Sequence, residues 1–297
     1  MKILFLFIDG VGLRPPAADN PVNPEVCPAL CRLIERHAKP IDACLSVEGL
    51  PQSATGQATM FTGVNASQTM GRHCEGYPGP VLRRTIEEGN LFLSLKARNK
   101  RVCFSNAYLI DSPDELQMRR FKSVTTVMAL SVPEVISTLD KLEDNEALLQ
   151  DLTRETIQDR YPDIPLITPE EAAEQLFRLA RANDFTLYEF FQTDVAGHSS
   201  DYARACGVLR LYDRFLATLV RFTEAAGITL VMTSDHGNIE AVNERGHTRN
   251  PVPFIAFGPH EEEIRAEVTS LVDVTPTILK YIYRPYFGND TVDGTGE

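Results

Sequence analysis

Short, almost unbroken apolar runs alternate along this chain with segments whose apolar residues recur every three or four positions. The clearest runs are "KILFLFI" (2–8), "RVCFSN" (101–106), "FTLYEFFQ" (185–192), "ITLVMTS" (228–234) and "PFIAFG" (253–258). Their length and β-branched or aromatic content predict strands. Their lack of polar alternation predicts strands covered on both faces. The stretch 199–227 reads as a long amphipathic helix with Gly227 as its stop. The stretch 168–183 opens with Thr168 as a cap, Pro169 in the first turn and Glu171 three residues after the cap, the signature of a helix start. "TPTILKYIY" (275–283) opens in the same way. Strands alternating with helices predict an α/β fold, a mostly parallel sheet with helices on both faces.

The alternation fades over 107–167, where the clearest local signal is an S-x-x-E pair, Ser131 and Glu134, predicting a helix start at Ser131. This segment is expected to form a small insert or cap over one edge of a core made of 1–106 and 168–285. Residues 286–297 lack apolar periodicity and are expected to form a loose tail. No internal repeat interrupts this plan.

Composition narrows the possibilities. A chain of 297 residues with 43% hydrophobic content is long enough for one large core. The net charge of −12 argues against general affinity for nucleic acid or an anionic membrane surface. No apolar run approaches the ~20 residues of a membrane span. The opening "MKILFLFIDG" is too short in its apolar part for a signal peptide and ends on an acid. It is read as a first strand of a cytoplasmic protein. The six cysteines are scattered without a paired CxxC, which suits free thiols in a reducing compartment.

Candidate chemistry gathers at the ends of the predicted strands. Asp9 follows the first, Asp194 the third and Asp235 the fourth. In a parallel sheet those ends share one edge, where ligands bind. Of the six histidines, His198 lies four residues after Asp194, His236 adjoins Asp235, and His247 lies in a loop just before the last strand. Any one such pair is common in surface loops; three acids at strand ends, two with a nearby histidine, form a pattern. Asp235 and His236 can share a metal only past the strand end, where Gly237 permits a turn. Mixed carboxylate and imidazole donors suit zinc or manganese better than calcium or magnesium. His37 and His260 sit among charged neighbours and receive no role, and His73 is ambiguous.

A fourth element is "PQSATGQATMFTGVNA" (51–66), dense in small and hydroxyl residues. A serine at a helix start meets free backbone N–H groups and the positive end of the helix dipole, which favour a bound phosphate. Ser53 is the first candidate nucleophile and Thr55 the second. Taken alone, the segment also fits an ordinary Ser/Thr cap.

Together these segments resemble the alkaline phosphatase superfamily of metalloenzymes, with the nearest likeness to cofactor-independent phosphoglycerate mutases and phosphopentomutases. "FIDGVGL", "SATGQATMFTG", "TDVAGH", "SDHGNIE", "GHTRNPVPFIAFG" and "SLVDVTPTILKYI" carry the likeness, over roughly 1–90 and 185–283. It implies a doubly wound α/β core and two divalent ions, manganese or zinc. Asp9, Ser53, Asp235 and His236 would surround one ion, and Asp194, His198 and His247 the other. It further implies phosphoryl transfer to Ser53 from a small phosphorylated metabolite. There are departures. Val11 stands where tryptophan is usual and Gln57 where the mutases have histidine. The mutases' long inserted domain, rich in arginine, is replaced by the short segment 107–167. Arg72, Arg83 and Arg84, with Arg119 and Arg120, are candidate clamps for phosphate or carboxylate. Two alternatives stay open: a metal-dependent phosphatase or phosphodiesterase with the same site, and a non-catalytic metal-binding relative. Nothing in the sequence sets the oligomeric state.

Overall fold

The computed structural model describes residues 1–284; the expected tail at 286–297 lies outside the described residues. Strands β1 (Ile3–Ile8), β2 (Ala38–Ile41), β3 (Val102–Phe104), β4 (Phe185–Phe190), β5 (Thr229–Thr233) and β6 (Val252–Phe257) form one sheet in the order β2-β6-β5-β1-β4-β3. All five expected strands are present, four with shorter ends and the last shifted by one residue. β1 pairs in parallel with β4 and β5, and β4 with β3. β6 runs antiparallel to β5 and β2 antiparallel to β6, so the sheet is parallel at its centre and antiparallel along one edge. The pattern did not predict β2. Its four residues include Pro40, which lacks an N–H to donate and belongs on an edge strand.

β1 shows why its run is apolar throughout. Ile3, Phe5 and Phe7 enter one core, while Leu4, Leu6 and Ile8 enter the core on the opposite face. The first core is closed by the helices Ser53–Thr62, Pro80–Glu88 and Val274–Tyr283. The second is closed by Pro28–His37, Pro169–Ala182 and Tyr202–Ala226. The architecture is therefore a three-layer α/β/α sandwich, as expected of a doubly wound fold. Phe61 locks the Ser53–Thr62 helix to the sheet, with its ring 5.9 Å from Phe5 and 5.8 Å from Phe7.

The helix from Pro169 begins with the expected capping box: Thr168 accepts from the Glu171 N–H, and Glu171 accepts from the Thr168 N–H. The long helix ends at Gly227. Two expected starts fail. Ser131 ends the helix Val124–Leu130 instead of opening one, because Pro133 forces Val132 out of helical geometry. Thr275 lies inside Val274–Tyr283, where its hydroxyl donates to the Met60 carbonyl (2.8 Å). The capping pair there is Ser270 with Asp273, one short turn earlier.

Residues 107–167 divide in their packing. Val124, Val127, Met128 and Ala129 enter the main core. Leu142, Leu149, Ile157 and Ile164 form a small cluster of their own. Among the described residues, no helix is long and apolar enough to cross a membrane.

Candidate metal centre

Parallel pairing brings three strand ends to one edge, Ile8 beside Phe190 and Phe7 beside Thr233. Asp9 follows β1 directly. Asp235 and His236 lie past the end of β5, in the irregular backbone that lets neighbours point the same way. Gly237 earns its place there by space rather than by backbone freedom: a Cβ would collide with Thr248 and Glu240. Asp194 does not follow its strand directly. β4 stops at Phe190, and the short helix Gln192–Gly197 carries Asp194 and leads into His198. One helical turn sets these two side by side. Gly10 adopts φ +69°, and a Cβ on it would lie 2.8 Å from the Asp194 carboxylate, so the first and third loops meet only because this residue is glycine.

Two convergent groups result. In the first, His236 Nε2 lies 2.9 Å from Ser53 Oγ, 3.3 Å from Asp9 Oδ1 and 3.5 Å from Asp235 Oδ2. In the second, His198 Nε2 lies 3.1 Å from His247 Nε2 and 3.4 Å from Asp194 Oδ2, while His247 Nε2 is 3.7 Å from Asp194 Oδ1. Donor atoms of Asp9, Asp194 and His236 lie within 4.8 Å of one another, as do those of Asp194, His198 and His247. Asp194 thus borders both groups, and the His236 and His247 rings stack 3.6 Å apart.

The electrostatics call for a cation. Asp9 Oδ1 and Asp235 Oδ1 are buried without a hydrogen-bond partner. Burial, then the charges of Asp235 and Asp194, pushes the Asp9 carboxyl well above its usual range. Burial also raises Asp235, and it lowers His236 to about 3, which keeps the imidazole in its neutral, ligating form. Facing carboxylates, neutral imidazole and orphaned oxygens together fit a divalent ion. His247 donates from Nδ1 to the Pro51 carbonyl (2.8 Å), which leaves Nε2 free to ligate.

Several residues support the two groups in ways their sequence positions did not announce. Gln57 donates to Asp9 Oδ2 (3.3 Å) and Asp235 Oδ2 (3.1 Å), bridging the two acids. Asn238 donates to Asp194 Oδ1 (2.6 Å). The buried carboxylate of Glu240 accepts from the N–H groups of Gly12 and Asn238 and from the side chains of Thr248 and Asn250. It ties together the loops after β1 and β5 and the loop before β6. Asn238 and Glu240 stand in the quoted "SDHGNIE", but residue type gave no hint of these partners.

Ser53 opens its helix without capping it, and no side chain caps that helix. Thr55 is fully buried and accepts from the Cys74 N–H. A cavity of about 700 Å³ opens beside the first group, bordered by Ser53, Asp9, Asp194, Glu189, Arg119 and Arg160 among others. Arg72 lines a neighbouring cavity of about 500 Å³. Arg83 and Arg84 line neither; the Arg83 guanidinium donates to the Pro78 and Arg120 carbonyls. His73 bonds Ser67 and Val47, His37 pairs with Glu261 and His260 with Glu263, all away from both groups.

A sequence profile described as "Metalloenzyme superfamily" matches residues 1–285. The chain belongs to that superfamily. In sequence it resembles cofactor-independent phosphoglycerate mutases, and in fold alkaline phosphatases. It is 27% identical over 128 residues to the 2,3-bisphosphoglycerate-independent phosphoglycerate mutase of Mycoplasmopsis synoviae, covering 41% of this chain and 25% of that one. It is 31% identical over 126 residues to the enzyme of the same name from Mycoplasma pneumoniae, covering 39% and 25%. The matched region is thus about a quarter of these relatives' length. The fold is similar to that of alkaline phosphatase from the Antarctic bacterium TAB5, with TM-score 0.58 and 13% identity over 95% of this chain and 98% of that one. It is also similar to the cold-active alkaline phosphatase of Shewanella sp., with TM-score 0.56 and 11% identity over 96% and 100%.

Proposed function

We propose that this metalloenzyme is a two-metal phosphoryl-transfer enzyme that takes a small phosphomonoester through a phosphoserine at Ser53, along a phosphomutase-like course. The observation that carries the proposal is the position of Ser53 Oγ, 2.9 Å from buried His236 and on the border of the cavity. Asp9, Ser53, Asp235 and His236 would hold one ion, and Asp194, His198 and His247 the other, manganese or zinc by donor type. When bound, such ions activate a hydroxyl at neutral pH and offset charge on phosphoryl oxygens.

The chain's own groups do the rest. Ser53 is the first residue of its helix, and the Ser53 and Ala54 N–H groups have no acceptor among the described residues. They are free to meet a phosphate at the positive helix end. His236 holds the serine hydroxyl at the cavity border, and Gln57 bridges the Asp9 and Asp235 carboxylates. The engagement of Thr55 supports Ser53 over Thr55 as nucleophile. All six cysteines are free, in keeping with the cytoplasmic setting that the proposal assumes.

A second reading, a phosphatase with the same site, is favoured by the cavity itself. Its 700 Å³ leave room for water beside a small ester. Phosphorus NMR on metal-loaded protein separates the two: an isomeric ester marks a mutase, free phosphate a hydrolase. Ser53→Ala is expected to abolish phosphate labelling of the protein while leaving its metal content nearly unchanged. A Ser53→Ala protein that still labels would overturn the nucleophile assignment.

A further inference from the structure

The cavity floor carries a buried acid that the phosphoryl-transfer reading does not use. Glu189 lies on β4, is 8% exposed and borders the cavity. Its Oε2 accepts from Thr125 Oγ1 (2.7 Å). Its Oε1 accepts no hydrogen bond among the described residues, although the backbone beneath it is fixed by Asn106, which exchanges two bonds with it at 2.8 Å. Glu189 belongs to neither group of converging metal donors. A carboxylate braced on one oxygen and open on the other, facing a cavity beside the nucleophile, is an acceptor awaiting a donor from a ligand.

We propose that Glu189 is a specificity-determining residue whose free oxygen accepts a hydroxyl of the leaving group, so that the substrate is a polyhydroxylated phosphoester larger than a three-carbon acid. The surroundings support this class. The rest of the wall offers donors from Arg119 and Arg160 and the mixed donor and acceptor of Gln150. A hydroxyl both donates and accepts, so it can satisfy groups of both kinds. A three-carbon acid would fill little of 700 Å³, a size suited to ligands of ring dimensions and above. At the mouth, Tyr77 is 57% exposed and packs 5.3 Å from Phe121, which offers a sugar ring an apolar face.

The inference rests on the phosphoryl-transfer reading, and its test keeps the two apart. Metal-loaded protein is assayed on pentose and hexose phosphates, on analogues lacking one hydroxyl at a time, and on p-nitrophenyl phosphate, which has none. Removal of one particular hydroxyl is expected to lower kcat/KM about 10–100-fold in the wild type. Glu189→Gln is expected to erase that discrimination, losing 10–100-fold more on the full substrate than on p-nitrophenyl phosphate. Should Glu189→Gln not fold, Thr125→Val, which leaves the carboxylate in place but unbraced, is expected to lose most of the same discrimination. Unchanged discrimination in a folded Glu189→Gln protein would overturn the proposal, and so would loss of a metal equivalent, which would make Glu189 a ligand. If no ester turns over, the phosphoryl-transfer reading fails. Calorimetry with the unphosphorylated sugars then decides alone: binding to wild type but not to Glu189→Gln upholds the hydroxyl contact, and equal or absent binding refutes it.

Discussion

The two groups of converging ligands meet solvent very differently. In the first, the side chains of Asp235 and His236 are fully buried and that of Asp9 is 8% exposed. In the second, the His198 side chain is 46% exposed and that of Asp194 17%, with only His247 buried, at 6%. Water can satisfy much of the second group. In the first, it does not reach Asp9 Oδ1 or Asp235 Oδ1, which are buried without hydrogen-bond partners. The comparison teaches that similar donor sets can serve different ends. A cation in the buried group would be part of the fold's own electrostatic balance. A cation in the half-open group would exchange more readily with solvent.

The largest expected effect follows from that difference. Asp9→Asn is expected to lose the buried ion and to lower kcat/KM by more than about a thousandfold. The same change is expected to make the metal-free protein more stable, by about 1–4 kcal/mol, because it removes one of two facing buried charges. His198→Ala is expected to weaken one ion only about 10–100-fold, with activity recovered at millimolar metal. Metal analysis during chelator titration, with denaturant melts of each variant, checks all three. Two ions that leave together, at one chelator concentration, would break the comparison.

Glu240→Gln probes what holds both groups in register. Its carboxylate serves four donors, two of them backbone N–H groups. A glutamine has one acceptor oxygen, and its amide would face donors with a donor. A loss of roughly 2–3 kcal/mol in stability is expected, with metal affinity down about 10–100-fold. Because Asn238 also reaches Asp194, both ions are expected to weaken. Weakening of one alone would show that the loops move independently. Thermal melts and metal titration of the same preparation give the answer.

What the sequence made legible was chemistry that depends on residue type and strand position. Asp9, Asp235 and His236 could be nominated because topology gathers the ends of parallel strands, and Asp194, His198 and His247 because their types and spacing fit the same site, although a short helix and an antiparallel strand deliver them. The apolar runs gave five of the six strands for the same reason, since burial on both faces leaves a continuous signal. Gln57, Asn238 and Glu240 were not legible. Their roles depend on which loops pack together, and a polar residue in a loop announces nothing. Ser131 and Thr275 misled because a local capping signal lost to context: a proline at Pro133 in one case, a tertiary bond to Met60 in the other. Of the candidate arginines, Arg119 borders the cavity, Arg120 does not, and Arg160 was not nominated. Arg83 and Arg84 were chosen near the nucleophile in sequence, whereas Arg119 and Arg160 reach the cavity from the short segment 107–167.

The effect confined to one residue and one pH window is the most specific. Glu189 is a third kind of buried acid, outside both groups and in no ion pair among the described residues. Burial raises its carboxyl from the ordinary 4.5 to about 7, with the Thr125 hydrogen bond opposing the shift. In the folded protein it therefore holds a proton between those values, while in the unfolded chain it does not. Fewer protons bound to the unfolded state mean that stability falls as pH rises through this window. Its contribution is fully present below pH 4.5 and lost by about pH 7, a span worth roughly 3 kcal/mol. Asp9 slopes the same way in metal-free protein, so the wild type alone cannot isolate Glu189. The difference between wild type and Glu189→Gln can. Urea melts of both metal-free proteins between pH 4.5 and 8 are expected to show the glutamine variant gaining on the wild type as pH rises, with the gain levelling off above about pH 7. A pH-independent difference would mean that Glu189 is solvated through the cavity, and that the contrast between closed and open acids in this site is weaker than its geometry implies.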